Sequence, residues 1–343
     1  MKPKTTEDIF KLLDGYVLSS SLGTAMELGL FWFLDGNPQS AAEVASLLDM
    51  PLNRCHLWLQ VLCRIGLLEE NRAVYVLTDT ARKTILNAYS RDTWAFMAHE
   101  ERSRFPSVQD MPLRMCRPQS IREARHVEAP DYFSQLREDP TCAAGFTRML
   151  GEIHVQLAEQ LARMLDLRRV GRMMDLGGGS GVVSFALLRR HPGLTCVVVD
   201  VESVCQAGRQ IAAGKGFEER ITYLPVNFLQ DDLPGGFDLV LFCDGGPYSE
   251  SLLRRIHASL NQDGQLVIVD QFAHSEDHPS SNHLIWAFLT ALDRPSPTMQ
   301  FTTIGVVQER MRQAGFHNLY SDPVSCKDHL RWNSDWIALG AHK

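Results

Sequence analysis

A short glycine-rich segment that follows an apolar run could bind a nucleotide-like cofactor. Asp175 and Leu176 precede it, and glycines occupy positions 177, 178, 179 and 181. Glycine has no Cβ, so the backbone of such a segment can turn sharply and approach a ligand closely. The apolar run Val182–Leu188 predicts a helix directly after the turn. A strand, a glycine turn and a helix N-terminus together bind nucleotide-like cofactors in doubly wound α/β folds.

The spacing of these glycines excludes two common cofactor classes. The dinucleotide fingerprint is G-x-G-x-x-G, and Val182 stands where its third glycine would be. A Walker-type phosphate loop carries a lysine after its last glycine, and no lysine follows Gly181. A glycine turn without any ligand is the alternative, but ordering an exposed glycine run costs much conformational entropy.

The next predicted strand supports a nucleoside ligand. The β-branched run Thr195–Val199 ends at Asp200, about twenty residues beyond the glycine turn, where a carboxylate accepts hydrogen bonds from ribose hydroxyls. Asp200 could instead cap a helix that starts near Ser203. After a third predicted strand, at residues 221–226, the amide of Asn227 can accept or donate a hydrogen bond.

The elements that carry these residues alternate between strand and helix. Further strands are predicted at 172–174, 237–242 and 265–270, with a helix at 249–260. Alternation over this length favours a parallel sheet, so the fold class is a doubly wound, Rossmann-like α/β domain. The tail at 334–341 resembles the antiparallel edge strand that ends the methyltransferase version of this fold.

The N-terminal part predicts helices and a hairpin. Apolar residues over 7–34 indicate one or two helices, and Ser40 with Glu43 matches a capping box. Pro51 suits the first turn of a helix that runs to about residue 64, and 67–78 resembles a hairpin. This pattern is a winged helix, which often binds DNA. Residues 1–100, however, carry nine Lys and Arg against twelve Asp and Glu, whereas a DNA-binding domain needs a basic face.

Composition describes an ordinary globular protein. The 343 residues have a net charge of −7, which argues against a nucleic-acid partner held by phosphate contacts. The eight cysteines show no C-x-x-C pair and no zinc spacing, so we expect no metal site and reduced thiols in the cytoplasm. We expect neither a signal peptide nor a membrane-spanning segment.

The whole pattern resembles one family of enzymes. Asp175-Leu176-Gly177-Gly178-Gly179-Ser180-Gly181 is similar to the first motif of class I S-adenosylmethionine (SAM) methyltransferases. A winged helix before such a domain is similar to the O-methyltransferases that act on caffeic acid and acetylserotonin, and to bacterial relatives such as bacteriochlorophyllide C-20 methyltransferase. Further marks of this family are at 25–31, 139–140, 146–149 and 314–316.

The resemblance implies a division of the chain and a set of contacts. Residues 1–100 would form a winged-helix dimerisation domain of a homodimer, 101–165 a helical linker that lines the substrate pocket, and 166–343 the SAM-binding domain. The residues expected to bind SAM are Asp175, near the ammonium group, with Gly177, Gly179, Asp200, Val201, Asn227, Phe228 and Cys243. The residues expected to line the pocket for a small-molecule substrate are Phe146, Met149, His154, Trp286 and Met299.

The expected catalytic base is missing. Most members of the family carry a histidine after the fourth strand and a glutamate that orients it, whereas this chain has Cys243-Asp244-Gly245-Gly246 and Val306 at those places. Asp244 and His283 are the candidate substitutes, although Asp244 could simply be a turn residue and His283 a surface residue. A missing base need not abolish methyl transfer, because general-base catalysis contributes about 10²–10⁴-fold.

Four functions are compatible with these residues. The first is SAM-dependent O-methylation of a small aromatic, polyketide-like or pigment-like acceptor without the usual histidine, which would yield S-adenosylhomocysteine (SAH). The second is C-methylation of an electron-rich ring. The third is a SAM-binding enzyme that catalyses pericyclic or hydroxylation chemistry, and the fourth is a ligand-sensing winged-helix regulator.

Overall fold

The structure is a computed structural model that describes residues 2–109, 111–117, 132–273, 275, 284–293, 302–325 and 336–343. The chain divides into two compact units, Met1–Gln109 and Asp110–Lys343. The predicted linker at 101–165 is therefore shared between the units. Within the described residues, each helix is too short or too polar to traverse a lipid bilayer.

The first unit combines helices with a small antiparallel sheet. Its strands are β1 (Gln39–Ser40), β2 (Leu68–Asn71) and β3 (Val74–Leu77), in the order β1-β3-β2. Its helices are α1 (Thr6–Leu13), α2 (Gly15–Glu27), α3 (Leu30–Phe33), α4 (Ala41–Leu47), α5 (Leu52–Arg64), α6 (Asp79–Ala81), α7 (Arg91–Ser103) and α8 (Phe105–Gln109), with a π-helical turn at Arg82–Leu86. The predicted hairpin is confirmed, and so is the capping box, because Ser40 and Glu43 bond each other's backbone N–H groups.

The second unit is built on a seven-stranded sheet in the order β6-β5-β4-β7-β8-β10-β9. Its strands are β4 (Arg172–Leu176), β5 (Thr195–Asp200), β6 (Ile221–Pro225), β7 (Phe237–Cys243), β8 (Leu260–Asp270), β9 (His317–Pro323) and β10 (Ile337–His342). Its helices are α9 (Met111–Met115), α10 (Tyr132–Glu138), α11 (Pro140–Ile153), α12 (Val155–Met164), α13 (Val182–Arg190), α14 (Glu202–Ala212), α15 (Glu250–Ser259), α16 (Leu284–Asp293) and α17 (Ile304–Gln313). Strands β4 to β8 pair in parallel, and β10 pairs antiparallel with β8 and β9.

Both faces of the parallel sheet are buried, which explains its apolar strands. Met173 packs in the core on one face, and its neighbour Met174 packs in the core on the other. Helices α12 and α13 contribute Leu157 and Leu187 to the first core, whereas α15 contributes Leu253 to the second. Strands covered on both faces are continuously hydrophobic rather than alternating, and the predicted Rossmann-like α/β class is confirmed.

The expectation of an edge strand at the C-terminus was wrong in one respect. The tail forms β10, but β10 lies between β8 and β9, so the edge strand is β9. Residues His317–Pro323 are nearly all exposed, and their mixed polar sequence lacks the β-branched run by which the other strands were recognised.

Candidate active site at the carboxyl ends of the parallel strands

The glycine turn lies between β4 and α13 and adopts backbone conformations that favour glycine. The φ angles of Gly177 and Gly179 are 66° and 52°, in the left-handed region that other residues rarely occupy. A Cβ at Gly177 would lie 3.6 Å from the ring of Phe228 and 3.7 Å from the ring of Phe242. The turn therefore rests on two aromatic rings, whereas a Cβ at Gly179 would meet nothing nearer than the carbonyl oxygen of Gly177, at 4.0 Å.

Asp175 lies beneath the turn. Its side chain is buried and accepts a hydrogen bond from the hydroxyl of Ser184, while its Oδ1 atom has no hydrogen-bond partner. A Cβ at Gly178 would place the carboxyl oxygens of Asp175 only 2.7 and 2.8 Å away. Burial raises the pKa of Asp175 to about 6, although the bond from Ser184 opposes the shift. The turn thus folds tightly over a carboxyl group that holds its proton more firmly than usual.

Asp200 connects the end of β5 to the glycine turn. Its carboxylate accepts the N–H of Gly179 at 3.1 Å and the N–H of Val201 at 2.8 Å. Burial raises the pKa of Asp200 to about 7; the two N–H groups lower it, and the charge of Asp175 raises it further. Each oxygen still has a lone pair for a hydroxyl group.

Asn227 and Phe228 follow β6 at the same edge of the sheet. The Asn227 amide is used locally, since Oδ1 accepts the N–H of Leu229 at 3.3 Å and Nδ2 donates to Gln230 at 3.2 Å. Phe228 is buried and meets Phe242 edge to face, with 5.8 Å between ring centroids. Asn227 thus shapes the loop, and Phe228 supplies an apolar floor.

Cys243 is the last residue of β7, on the other side of β4, and Asp244 follows it. The pairing of Leu176 with Phe242 puts Cys243 and Asp244 level with the glycine turn, about 4.8 Å across the sheet. Asp244 has a φ of 52°, and 42% of its side-chain surface is accessible. Partial burial and the charge of Asp270 raise the pKa of Asp244 above its ordinary value.

Asp270 and Tyr248 complete this side of the site, and the sequence did not predict either. The hydroxyl of Tyr248 donates to Asp270, whose other oxygen accepts the N–H of Gln271 at 2.6 Å. Burial raises the pKa of Asp270 to about 6 and that of Tyr248 well above its usual range. Asp270 ends its strand as Asp200 does, and Asp175 is one residue from the end of β4. That shared position was a signal for Asp270.

His154 lies at the junction of α11 and α12. Its Nε2 atom is 3.5 Å from Oδ2 of Asp244, and its ring meets that of Trp336 edge to face at 5.6 Å. Burial lowers the pKa of His154 to about 4. One turn earlier, a Cβ at Gly151 would lie 3.0 Å from Cβ of Ser180. The junction therefore packs directly against the glycine turn.

The remaining predicted pocket residues are only partly described. Phe146 and Met149 lie half-buried on α11, and Phe146 packs against the cluster that contains Val201 and Val204. His283, Met299 and the side chain of Trp286 lie outside the described residues. The structure therefore brings Asp175, Asp200, Asp244 and His154 to one edge, and the other candidate base stays a prediction.

Comparison with known families identifies this arrangement. The sequence model of the O-methyltransferase domain matches residues 113–304, which is more than half of the chain. The chain belongs to the O-methyltransferase family. A second family model, the O-methyltransferase dimerisation domain, matches residues 10–86. The predictions of a SAM-dependent methyltransferase and of SAM as its cofactor are thereby confirmed.

The relatives of this chain include proteins named for methylation of oxygen and proteins named for methylation of carbon. The chain is 32% identical over 238 residues to 3-hydroxy-5-methyl-1-naphthoate 3-O-methyltransferase of Streptomyces sahachiroi, an alignment that covers 67% of this chain but 65% of that relative. It is 24% identical over 193 residues to L-tyrosine C(3)-methyltransferase of Streptomyces lavendulae, covering 54% of this chain and 52% of the relative. The solved structure of human N-acetylserotonin methyltransferase with SAM matches with a TM-score of 0.76 at 21% identity, covering 100% of this chain and 99% of the other, which shows the fold.

The residues of the edge fit SAM. A Cβ at Gly179 would meet only the carbonyl oxygen of Gly177, at 4.0 Å, so the turn has room there for a backbone-to-ligand contact. The carboxyl groups of Asp175, Asp200, Asp244 and Asp270 lie at the same edge, and the pKa of each is raised. SAM carries a sulfonium and an ammonium group, and positive charge placed beside these carboxyl groups would favour their ionised forms.

Proposed function

We propose that the protein transfers the methyl group of SAM to a hydroxyl group of a small aromatic, polyketide-like or pigment-like molecule. The observation that carries this proposal is the position of Asp244, whose accessible carboxylate stands one strand away from the glycine turn. A proton acceptor beside the methyl donor is what O-methylation of a neutral hydroxyl requires. The naphthoate relative favours an acceptor hydroxyl on a fused aromatic ring.

The SAM contacts divide among the strand ends. Gly177 and Gly179 would approach the methionine part, and Asp200 with Val201 would hold the ribose. Asn227, Phe228 and Cys243 would surround the adenine. Asp175, which is buried beneath the turn, would support the turn rather than bind the ammonium group directly.

The protein would position the acceptor molecule beside SAM and accept the proton of its hydroxyl group. Bound SAM supplies an electrophilic methyl group. Phe146 and Met149 would hold the acceptor ring with its hydroxyl directed at Asp244. An ordinary aspartate, with a pKa of about 3.9, is a poor base for a phenol, whereas the raised pKa of Asp244 improves the match between donor and acceptor.

C-methylation is the second candidate, because the loop after β7 holds Asp244 where the family's histidine would be and because one relative is named for a C(3) methylation. A phenolate attacks through oxygen or through the ring carbon beside it, so one proton acceptor serves both reactions. The orientation of the ring would decide the product.

We further infer that the protein acts as a homodimer in the cytoplasm. The match to a dimerisation domain at 10–86 supports self-association. Among the described residues, seven cysteines form no disulfide, which is the usual condition of cytoplasmic thiols.

Calorimetric titration and product identification test the proposal. The protein should bind both SAM and SAH, and incubation with trideuteromethyl-SAM and 3-hydroxy-1-naphthoate or related phenols should give a methyl ether by mass spectrometry and NMR. A product methylated on ring carbon would instead select the second candidate. Failure to bind either SAM or SAH would overturn both.

A further inference from the structure

Two titratable side chains that are ninety positions apart in sequence face each other at the acceptor side of the site. His154 comes from the junction of α11 and α12, and Asp244 from the turn after β7. Nε2 of His154 and Oδ2 of Asp244 are 3.5 Å apart. Such a separation is within the range that tightens when a substrate closes an active site.

The two groups differ in exposure. Only 8% of the His154 side chain is accessible, compared with 42% for Asp244. Asp244 therefore presents its carboxylate to the open site, and His154 stands behind it, against the edge of Trp336. This order is the reverse of the common one, in which an imidazole contacts the substrate and a carboxylate orients the imidazole.

The charges around the pair favour sharing of one proton. Asp270, Tyr248 and the thiol of Cys243 face Asp244 or its neighbours, and Asp270 repels a charge on Asp244. Burial lowers the pKa of His154 to about 4, so its ring is neutral with a free lone pair. A protonated Asp244 beside neutral His154 and an ionised Asp244 beside protonated His154 have the same net charge. Because the pKa of Asp244 is raised and that of His154 is lowered, the proton of the pair resides on Asp244, directed at Nε2 of His154.

We propose that His154 and Asp244 act together as the base of the reaction, with Asp244 accepting the proton of the acceptor and His154 sharing it from behind. This inference rests on the methyl transfer proposed above. The acceptor's O–H bond breaks and its proton goes to Asp244. The electron pair left on oxygen forms the O–CH₃ bond as the S–CH₃ bond breaks, giving a methyl ether and SAH. Because His154 acts through Asp244, it is a positioning residue, and the pair returns its proton to solvent after product release.

Sharing explains how a chain without the usual histidine can still deprotonate a hydroxyl. An isolated carboxylate would hold the proton of a phenol only weakly, whereas a carboxyl group that donates its proton to a neutral imidazole holds that proton more firmly. A packing role for His154 makes a different prediction, because a ring that merely fills space beside Trp336 would not change the proton affinity of Asp244.

NMR of the full-length protein labelled with ¹³C-aspartate, saturated with SAH, separates these roles. We expect the titration midpoint of Asp244 to fall by about one pH unit or more in His154→Leu, because a neutral imidazole that accepts the proton of Asp244 favours the protonated acid. His257→Gln is the control and should leave the Asp244 midpoint in place, since His257 contacts a different aromatic ring, that of Phe316. An unchanged Asp244 midpoint in His154→Leu would overturn the pair.

Single-turnover kinetics with 2-naphthol and its more acidic 1-nitro derivative give a second readout. His154→Gln and Asp244→Asn should each slow methylation of 2-naphthol by about 10²-fold or more, the double variant should be little slower than Asp244→Asn, and the acidic naphthol should be much less affected. Equal effects of His154→Gln on both acceptors would contradict the proposal. Loss of SAM and SAH binding in the wild type is a separate result, which would refute methyl transfer itself.

Discussion

Four carboxyl groups at one edge of the sheet hold their protons more tightly than ordinary aspartates. Burial is the main cause for Asp175, Asp200, Asp244 and Asp270. The charged forms of Asp175, Asp200 and Asp270 lack the water that solvates an exposed carboxylate, whereas the side chain of Asp244 is 42% accessible and is also affected by the charge of Asp270. A cationic ligand at this edge would provide the missing positive charge, so cofactor affinity and proton binding are coupled.

Asp200 should make SAM binding depend on pH. Its pKa is raised to about 7, and only the ionised carboxylate accepts two ribose hydroxyls without giving up an acceptor site. Affinity of the wild type should therefore rise as the pH increases from 6 to 8. Asp200→Asn should lack this rise and bind SAM roughly tenfold more weakly at pH 8, a difference of about 1.4 kcal/mol.

The affinity for SAM is measured calorimetrically for both proteins at each pH. The ratio of the two affinities is independent of the protonation of SAM itself, which affects both proteins equally. Parallel pH curves for the wild type and Asp200→Asn would show that Asp200 does not control the affinity.

Asp175 should make the ligand-free protein less stable as the pH rises. Its pKa of about 6 in the fold lies above the ordinary value of about 3.9, so the stabilisation from its proton is complete below pH 4 and is lost through pH 6. Asp175→Asn should flatten the stability curve over that interval by on the order of 2–3 kcal/mol. His154, whose pKa is lowered to about 4, contributes a trend of opposite sign in both proteins.

Urea unfolding of wild type and Asp175→Asn at pH 4.5 and pH 7.5 measures this difference. If the free energy of unfolding changes with pH equally in the wild type and in the variant, the assignment to Asp175 is contradicted.

At the scale of elements, helix α14 holds the glycine turn in place through a close approach. A Cβ at Gly208 would lie 2.6 Å from the carbonyl oxygen of Gly179 and 2.9 Å from Cδ1 of Tyr223. Tyr223 in turn donates from its hydroxyl to the carbonyl of Ser180 at 2.9 Å. The glycine turn thus packs between helix α14 and strand β6.

Gly208→Ala should displace α14 from the turn. We expect a loss of about 1–3 kcal/mol in the free energy of unfolding and a weaker affinity for SAM, measured by urea unfolding and calorimetry. Gly305→Ala on α17 is the matched control, because its Cβ would meet only Oγ1 of Thr303 at 4.0 Å and alanine favours a helix. Equal stability of the two variants would show that the approach at Gly208 is not tight.

The sequence was sufficient to predict the buried strands, because burial makes their residues apolar. It was not sufficient to predict the features that depend on packing between residues far apart in the chain. Strands β4 to β8 were recognisable because both faces of the sheet are covered and their residues are continuously apolar. The exposed strand β9 had no such pattern. His154 was assigned to the pocket, but its contact with Asp244 depends on how the α11–α12 junction packs against the glycine turn, and no local pattern encodes that.

At the scale of the whole molecule, α1 and the first turn of α2 present apolar side chains without cover from their own chain among the described residues. Phe10, Leu13 and Tyr16 are between 62% and 66% exposed. Apolar surface of this kind on a soluble protein commonly marks an interface. Since the match to the dimerisation domain begins at residue 10, a second copy of the chain is the expected partner.

Phe10→Glu combined with Leu13→Glu should shift a dimer to monomers in size-exclusion chromatography with light scattering, because two charges would be buried without partners. Lys11→Ala on the same helix is the control; its exposed ion pair with Glu7 contributes little to stability. A wild type that is already monomeric at micromolar concentration would disprove the homodimer.

The strand order has a consequence for how this molecule can change over evolutionary time. β4 is the middle one of the five parallel strands, with β5 and β6 on one side and β7 and β8 on the other. The residues proposed to hold SAM come mostly from the first side, whereas Asp244, Tyr248 and Asp270 come from the second. Mutations at the ends of β7 and β8 can therefore change the methyl acceptor while the binding of SAM is preserved. A lineage built in this way diversifies its products through one half of a sheet and inherits the other half unchanged.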